Sequence, residues 1–243
     1  MDTNLVFPNP GPYEHIIKEG DLVFDIGACI GQMTEFYLSR GARVIAVEPE
    51  SNDVEKLTER FGDNDKVTIV PKAVGEKNGS SHLYIYKGAN SISTFVPTIW
   101  WGQDSAFKGT QGTGWEEVEM ITLDSLIEEY GSPQFIKLDI EGYESFALQG
   151  LSQPVPFVQF EMCGATIKSG QVRECFERIL SICPTATFNY TLCEGPGFRI
   201  GPDVFRHWTT AEEVMRKIDE EVNNWPLFWG NGLANMTDDS QLD

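Results

Sequence analysis

Several apolar runs of this 243-residue chain end in carboxylates: Asp25, Glu48, the pair Asp139 and Glu141, and Glu161. At the carboxyl ends of parallel strands such groups face a shared crevice, where a carboxylate can accept both hydroxyls of a ribose. Asp25 and Glu48 belong to one stretch, DLVFDIGACIGQMTEFYLSRGARVIAVE, running from Asp21 to Glu48. It reads as strand, glycine turn, helix, strand. A turn leaving a parallel strand needs unusual φ/ψ, and the missing Cβ of glycine lets a ligand lie against the backbone. With Glu48 placed for a ribose, the implied ligand is an adenosine compound. A dinucleotide site wants Gly-x-Gly-x-x-Gly, with a pyrophosphate at the helix N-terminus. Gly27-Ala28-Cys29-Ile30-Gly31 lacks the middle glycine, and Asp25, two positions before Gly27, would repel a pyrophosphate. S-adenosylmethionine, cationic and free of phosphate, suits the turn better. An ordinary strand-to-helix turn carries the same short glycine pattern, so this stretch alone leaves both open.

The second informative stretch is FIKLDIEGYESFALQGL, from Phe135 to Leu151. Phe135 to Ile140 reads as a central strand, and period 2 puts Lys137, Asp139 and Glu141 on one side. Charges on a buried strand need a reason. Near the carboxyl end, Asp139 and Glu141 enter the crevice and are placed for chemistry, while Lys137 sits deeper and pairs with a carboxylate. The alternative is a buried ion-pair cluster that only fixes strand register.

These residues need a frame of strands and helices, and the chain is long enough to build one. A 41% hydrophobic composition supports a real core in a single domain spanning 1–243. No apolar run reaches bilayer-spanning length and no signal peptide is visible, so the expected location is the cytoplasm. The five cysteines show no CxxC pair and read as reduced thiols, with neither a disulfide framework nor a zinc site. A formal charge of −19 argues against nucleic acid and anionic membranes as partners, because polyanions bind through clustered lysine and arginine.

In chain order, residues 1–12 read as an irregular arm that could cover one end of the cleft, followed by a short helix or turn near Tyr13 to Ile17. A helix runs from Ser51–Asp53 to Phe61, with Ser51 or Asp53 as its cap, and Lys66 to Val70 is a third strand. His82 to Tyr86 reads as an antiparallel edge strand. Residues 87–117 hold Trp100, Trp101 and Trp115 without a sustained period, and are expected to form a substrate wall or lid. Leu123 to Tyr130 is a helix capped by Thr122 and stopped by Gly131. Further strands are expected at Pro156 to Met162, Phe188 to Cys193 and within Trp225 to Ala234, with helices at Gln171 to Ile182 and Ala211 to Val222. Residues 236–243 read as a frayed tail. Alternating strands and helices of this kind call for a doubly wound, mostly parallel α/β sheet.

Taken together, the chain resembles the FkbM-type S-adenosylmethionine-dependent methyltransferases, a branch of the class I, Rossmann-like fold. The resemblance rests on Asp25-Ile26-Gly27-Ala28 with Gly31 and Thr34, Ala46-Val47-Glu48-Pro49, Lys72-Ala73-Val74-Gly75, Thr122-Leu123-Asp124, Lys137-Leu138-Asp139-Ile140-Glu141-Gly142 with Glu144, and Glu161. Cys29 departs from the family's usual Asn. The resemblance implies a seven-stranded sheet with helices on both faces, to which residues 87–117 add an inserted substrate loop. It also implies methyl transfer from S-adenosyl-L-methionine, most often to an oxygen, in saccharide, polyketide or other secondary-metabolite pathways. By the same transfer Gly27, Ala28 and Gly31 lie along the methionine part, Glu48 holds the ribose and Ala73 sits near adenine, with Asp25 and Pro49 in the same cofactor set. An alcohol acceptor needs a base, and none of the three histidines falls in a matched motif. The base is therefore sought at Asp139 first and Glu141 second, with Lys137 orienting them. A magnesium ion bridging Asp139, Glu141 and the substrate oxygen ranks below the metal-free base. Two rivals stand: an NAD-type oxidoreductase, and a non-catalytic module that binds the cofactor without turnover.

Overall fold

The computed structural model describes residues 16–86, 92–97, 112–192, 208–224 and 229–237. Its first unit follows the hydrophobic pattern: β1 (Leu22–Ile26), α1 (Gln32–Ser39), β2 (Arg43–Val47), α2 (Ser51–Phe61) and β3 (Val67–Val70). The strands pair in parallel, with Asp25 opposite Ala46 and Val47 opposite Val70. The alternation of the pleat separates two cores. Phe24, Ile26, Ile45 and Val47 join the larger one on one face, while Val23, Val44 and Ala46 join the helices on the other.

After β3 the chain leaves the main sheet. β4 (Ala73–Val74), β5 (Gly79–Ile85) and β6 (Gly114–Ile121) form a separate three-stranded sheet in the order β4-β6-β5. The segment expected as an edge strand is therefore antiparallel and at an edge, but of this small sheet. The expected insertion is also shorter than 87–117: Gly114 to Glu117 belong to β6, where Trp115 is exposed and meets the edge of the His82 ring. Trp100 and Trp101 lie outside the described residues.

The chain then returns through α3 (Leu123–Tyr130) to β7 (Phe135–Leu138), α4 (Glu144–Gln149), β8 (Phe157–Cys163), α5 (Gly164–Ser169), α6 (Gln171–Ile182), β9 (Thr187–Leu192), α7 (Ala211–Asn224) and β10 (Trp229–Asn235). The Thr122 hydroxyl accepts the Ser125 N–H, as its position before α3 predicts. At α2 neither Ser51 nor Asp53 caps: Glu50 is the N-cap residue, without a side-chain bond, and Asp53 instead binds Lys56. Among the described residues the main sheet has seven strands in the order β3-β2-β1-β7-β8-β10-β9, parallel from β3 to β8, with β10 antiparallel to both of its neighbours. Met236 is buried and its N–H donates to Pro156, so the tail does not begin there. Residues 1–12 and 238–243 lie outside the described residues. No described helix is long and apolar enough to cross a membrane.

Connections from β1 lead outward to β2 and β3, whereas β7 and β8 continue on the other side. The strand order reverses between β1 and β7, and ligands of open α/β sheets bind in the crevice at the carboxyl ends of such a pair.

Candidate active site

The site grows from three turns at that edge. Gly27 follows β1 with φ 75°, and a Cβ there would stand 1.9 Å from the Asp139 carbonyl oxygen. Only glycine lets the turns after β1 and β7 touch. The Gly27 and Ala28 N–H groups both donate to the Val47 carbonyl, tying the first turn to β2. Glu48 then locks the arrangement: its Oε2 accepts the Cys29 N–H and its Oε1 the Glu50 N–H, both at 2.9 Å. Each carboxylate oxygen keeps a second acceptor direction for a ligand.

Behind the turns lies a buried ion cluster. Lys137, opposite Asp25 in the β1–β7 register, sits 3.4 Å from Asp25 and 3.4 Å from Asp139, and donates to the Gly27 carbonyl. Burial alone would lower the Lys137 pKa, but Asp139 and Asp25 outweigh it and hold the ammonium above its ordinary value. Asp25, fully buried, also accepts the Thr34 hydroxyl at 2.6 Å. The polar row continues across the sheet, with Gln159 opposite Lys137 and bonded to Asn231, which bonds Thr191.

The strand carrying these charges is shorter than expected. β7 stops at Leu138, and Asp139, Ile140 and Glu141 form a turn in which Glu141 has φ 58° and Gly142 φ 90°. The buried Glu144 holds this turn, its Oε1 accepting the N–H groups of Ile140 and Gly142. Among the described residues Cys29, with φ 50°, and Glu141 are the two non-glycine residues with positive φ, and both line the same cavity. Backbone strain of this kind, about 1–3 kcal/mol each, gathers where surrounding structure enforces a working geometry.

That cavity, about 470 Å³, runs along the carboxyl edge from the glycine turn to Asp139 and Glu141. Of the residues singled out from the sequence, Gly27, Glu48, Pro49, Ala73, Asp139 and Glu141 line it. Asp25, Ala28, Gly31 and Lys137 are not among the lining residues. Asp25 and Lys137 form the ion cluster behind the turns, Ala28 packs in the core, and Gly31 lets the turn pass Phe61 and Leu57, where a Cβ would come within 2.4 Å. Burial raises the Glu48 carboxyl to about 7. Burial, with Asp53 and Glu48 nearby, pushes the Cys29 thiol to about 12, which leaves it protonated and inert.

Further lining residues lay outside the sequence reading. Ser93 and Phe95 come from the described part of the insertion, which returns to β5 through the Tyr84–Thr94 bridge. The Ser93 hydroxyl donates to Glu50 and the Thr94 hydroxyl to the Glu141 carbonyl, so part of the insertion does wall the cavity. The available signal was Glu50 itself, a second acid just after Glu48-Pro49. Cys29, Cys163, Cys175 and Cys183 are free thiols, and Cys193 lies outside the described residues.

Residues 25–190 match the Methyltransferase FkbM domain. The chain belongs to the FkbM methyltransferase family. Its match to the hexuronic acid methyltransferase AglP of Haloferax volcanii is 27% identical over 145 residues, 59% of this chain and 55% of that protein. A chloroplastic ribosomal RNA small subunit methyltransferase of Arabidopsis thaliana is 33% identical over 67 residues, 28% of this chain and 20% of that protein. The chain thus spans about half the length, or less, of these curated relatives. The crystal structure of a methyltransferase FkbM from Methylobacillus flagellatus superposes with a TM-score of 0.52 at 18% identity, covering 89% of this chain and 44% of that one, a likeness of fold.

Proposed function

We propose that the chain transfers a methyl group from S-adenosyl-L-methionine to a hydroxyl of a saccharide or other small molecule. The observation that carries this reading is one cavity joining the Gly27 turn, Glu48 and the Asp139–Glu141 turn at the switch point between β1 and β7. Its volume falls in the range of small-molecule sites. The donor set suits this cofactor: Gly27 brings bare backbone to the cavity and Glu48 offers a carboxylate for ribose hydroxyls. When bound, the cofactor supplies a methyl carbon made electrophilic by its sulfonium.

The chain's own residues then have two tasks. Glu48, Pro49 and Ala73 hold the nucleoside side of the cavity, and the turn after β7 aligns the acceptor, which is the larger part of catalysis in an in-line displacement. Asp139 would take the hydroxyl proton as the acceptor oxygen displaces S-adenosylhomocysteine from the methyl carbon, the sulfur–carbon bond breaking as the carbon–oxygen bond forms. Its side chain is 35% exposed where the cavity opens, with Lys137 fixing it from behind. Glu141, beside it, is the second candidate. A saccharide acceptor is supported by the Haloferax relative, a hexuronic acid methyltransferase. A formal charge of −19 speaks against a nucleic acid acceptor.

The test is Asp139→Asn, assayed for turnover and for S-adenosylhomocysteine binding. Loss of turnover by a factor of about 10²–10⁴, with cofactor affinity within a few-fold of wild type, is the expected result. Full activity in that variant removes Asp139 as the base.

A further inference from the structure

We infer that the carboxylates of Asp139, Glu141 and Glu161 form a binding site for one hard divalent cation at the acceptor end of the cavity. Each residue offers one oxygen, and the three oxygens lie within 4.8 Å of one another. The group is compact enough for one ion to be shared among the three carboxylates once their side chains close around it. The ligands come from two elements fixed independently. Asp139 and Glu141 stand on the turn clamped by Glu144, and Glu161 stands on β8.

Clustered acids alone would prove nothing, but this cluster has unused acceptors. Glu161 is 7% exposed; its Oε1 accepts the Trp229 indole N–H at 2.6 Å, whereas its Oε2 is buried with no hydrogen-bond partner among the described residues. Glu141 Oε2 is likewise buried and unpartnered. Such atoms are costly in a folded protein and point to a missing group. The nearby cation does not supply it. Lys137 is already shared between Asp25, Asp139 and the Gly27 carbonyl, and its ion-pair contacts do not extend to Glu141 or Glu161. An all-carboxylate set selects magnesium, manganese or calcium over softer metals. Because Asp139 and Glu141 also line the cavity, an ion held by them would border the acceptor and would make its hydroxyl more acidic. That role rests on the methyl-transfer reading; the binding site itself does not.

The test is a titration of the full chain with manganese chloride, free ion being counted by electron paramagnetic resonance at moderate salt to suppress diffuse binding. One saturable ion per chain, displaced by magnesium, is expected. Glu161→Gln and Glu141→Gln should each weaken it by about tenfold or more, while Glu128→Gln, on the exposed face of α3, leaves it unchanged. Circular dichroism checks the folding of each variant, and if Glu161→Gln does not fold, Glu141→Gln carries the same comparison. Absence of a saturable site in the wild type, or wild-type affinity in a folded Glu161→Gln or Glu141→Gln chain, overturns the assignment. Neither S-adenosylmethionine nor an acceptor enters this readout. Failure here leaves the methyl-transfer reading standing, and failure of turnover leaves the cation site standing.

Discussion

At the scale of single residues, the site separates carboxylates by what surrounds them. Asp25 is committed to Thr34 and Lys137, Glu144 to two backbone N–H groups, and Glu48 to two others while still facing the cavity. Burial raises Glu48 from an ordinary 4.5 to about 7. Between those values the folded chain keeps a proton that the unfolded chain has released. This group's contribution to stability is therefore complete below 4.5 and lost as pH rises through about 7. Ribose hydroxyls donate to the ionised form, so affinity for S-adenosylhomocysteine should fall as pH drops below about 7. Glu48→Gln should weaken binding by about tenfold to a hundredfold and flatten that dependence, measured by calorimetry across the pH range. A wild-type affinity that is flat with pH, or unchanged in Glu48→Gln, contradicts the ribose role. The sequence showed that Asp25 and Lys137 were charged residues on buried strands. It did not show that they face each other, because that depends on the lateral register of β1 against β7, set by packing between residues far apart in the chain.

At the scale of elements, the turn from Asp139 to Gly142 is the part whose conformation most needs enforcement. Glu144 provides it with one oxygen shared by two N–H groups. Glu144→Ala leaves the buried Gly142 donor and the half-buried Ile140 donor unpaired, at a cost of about 2–4 kcal/mol. Glu144→Gln keeps an acceptor there and should recover most of that loss, to within about 1 kcal/mol of wild type. Urea denaturation of the two variants checks the contrast, and equal stability of Glu144→Ala and wild type would show that the turn holds itself. Elements with local signals were legible from the sequence: the β1-α1-β2 unit, α3 between Thr122 and Gly131, and α6. β6 was not, because Val118 and Met120 alternate with Glu117 and Glu119 directly after a long aperiodic stretch, which drew its first residues into the insertion. α5 is only six residues long, and its N-cap is a cysteine, too weak a signal to read alone. The alternation that placed Asp139 and Glu141 on one side remained useful, although the strand beneath it ends at Leu138.

At the scale of the whole molecule, a doubly wound sheet leaves one opening where strand order reverses, and the residues of chemical interest gather there from segments distributed between Gly27 and Glu141. The sheet order accounts for their meeting, and the small second sheet together with residues 92–97 walls the opening on the side of Ala73 and Phe95. The central claim is that this opening receives a phosphate-free adenosine cofactor. The most direct test is a thermal-shift titration of the wild-type chain with S-adenosylmethionine, S-adenosylhomocysteine and NAD in parallel. Ligand at about 100 times its Kd adds roughly 2.7 kcal/mol, which for a chain of this size raises Tm by about 5–11 °C. A rise with the two methyl-cycle ligands and none with NAD is the predicted result, and a rise with NAD alone would contradict the account.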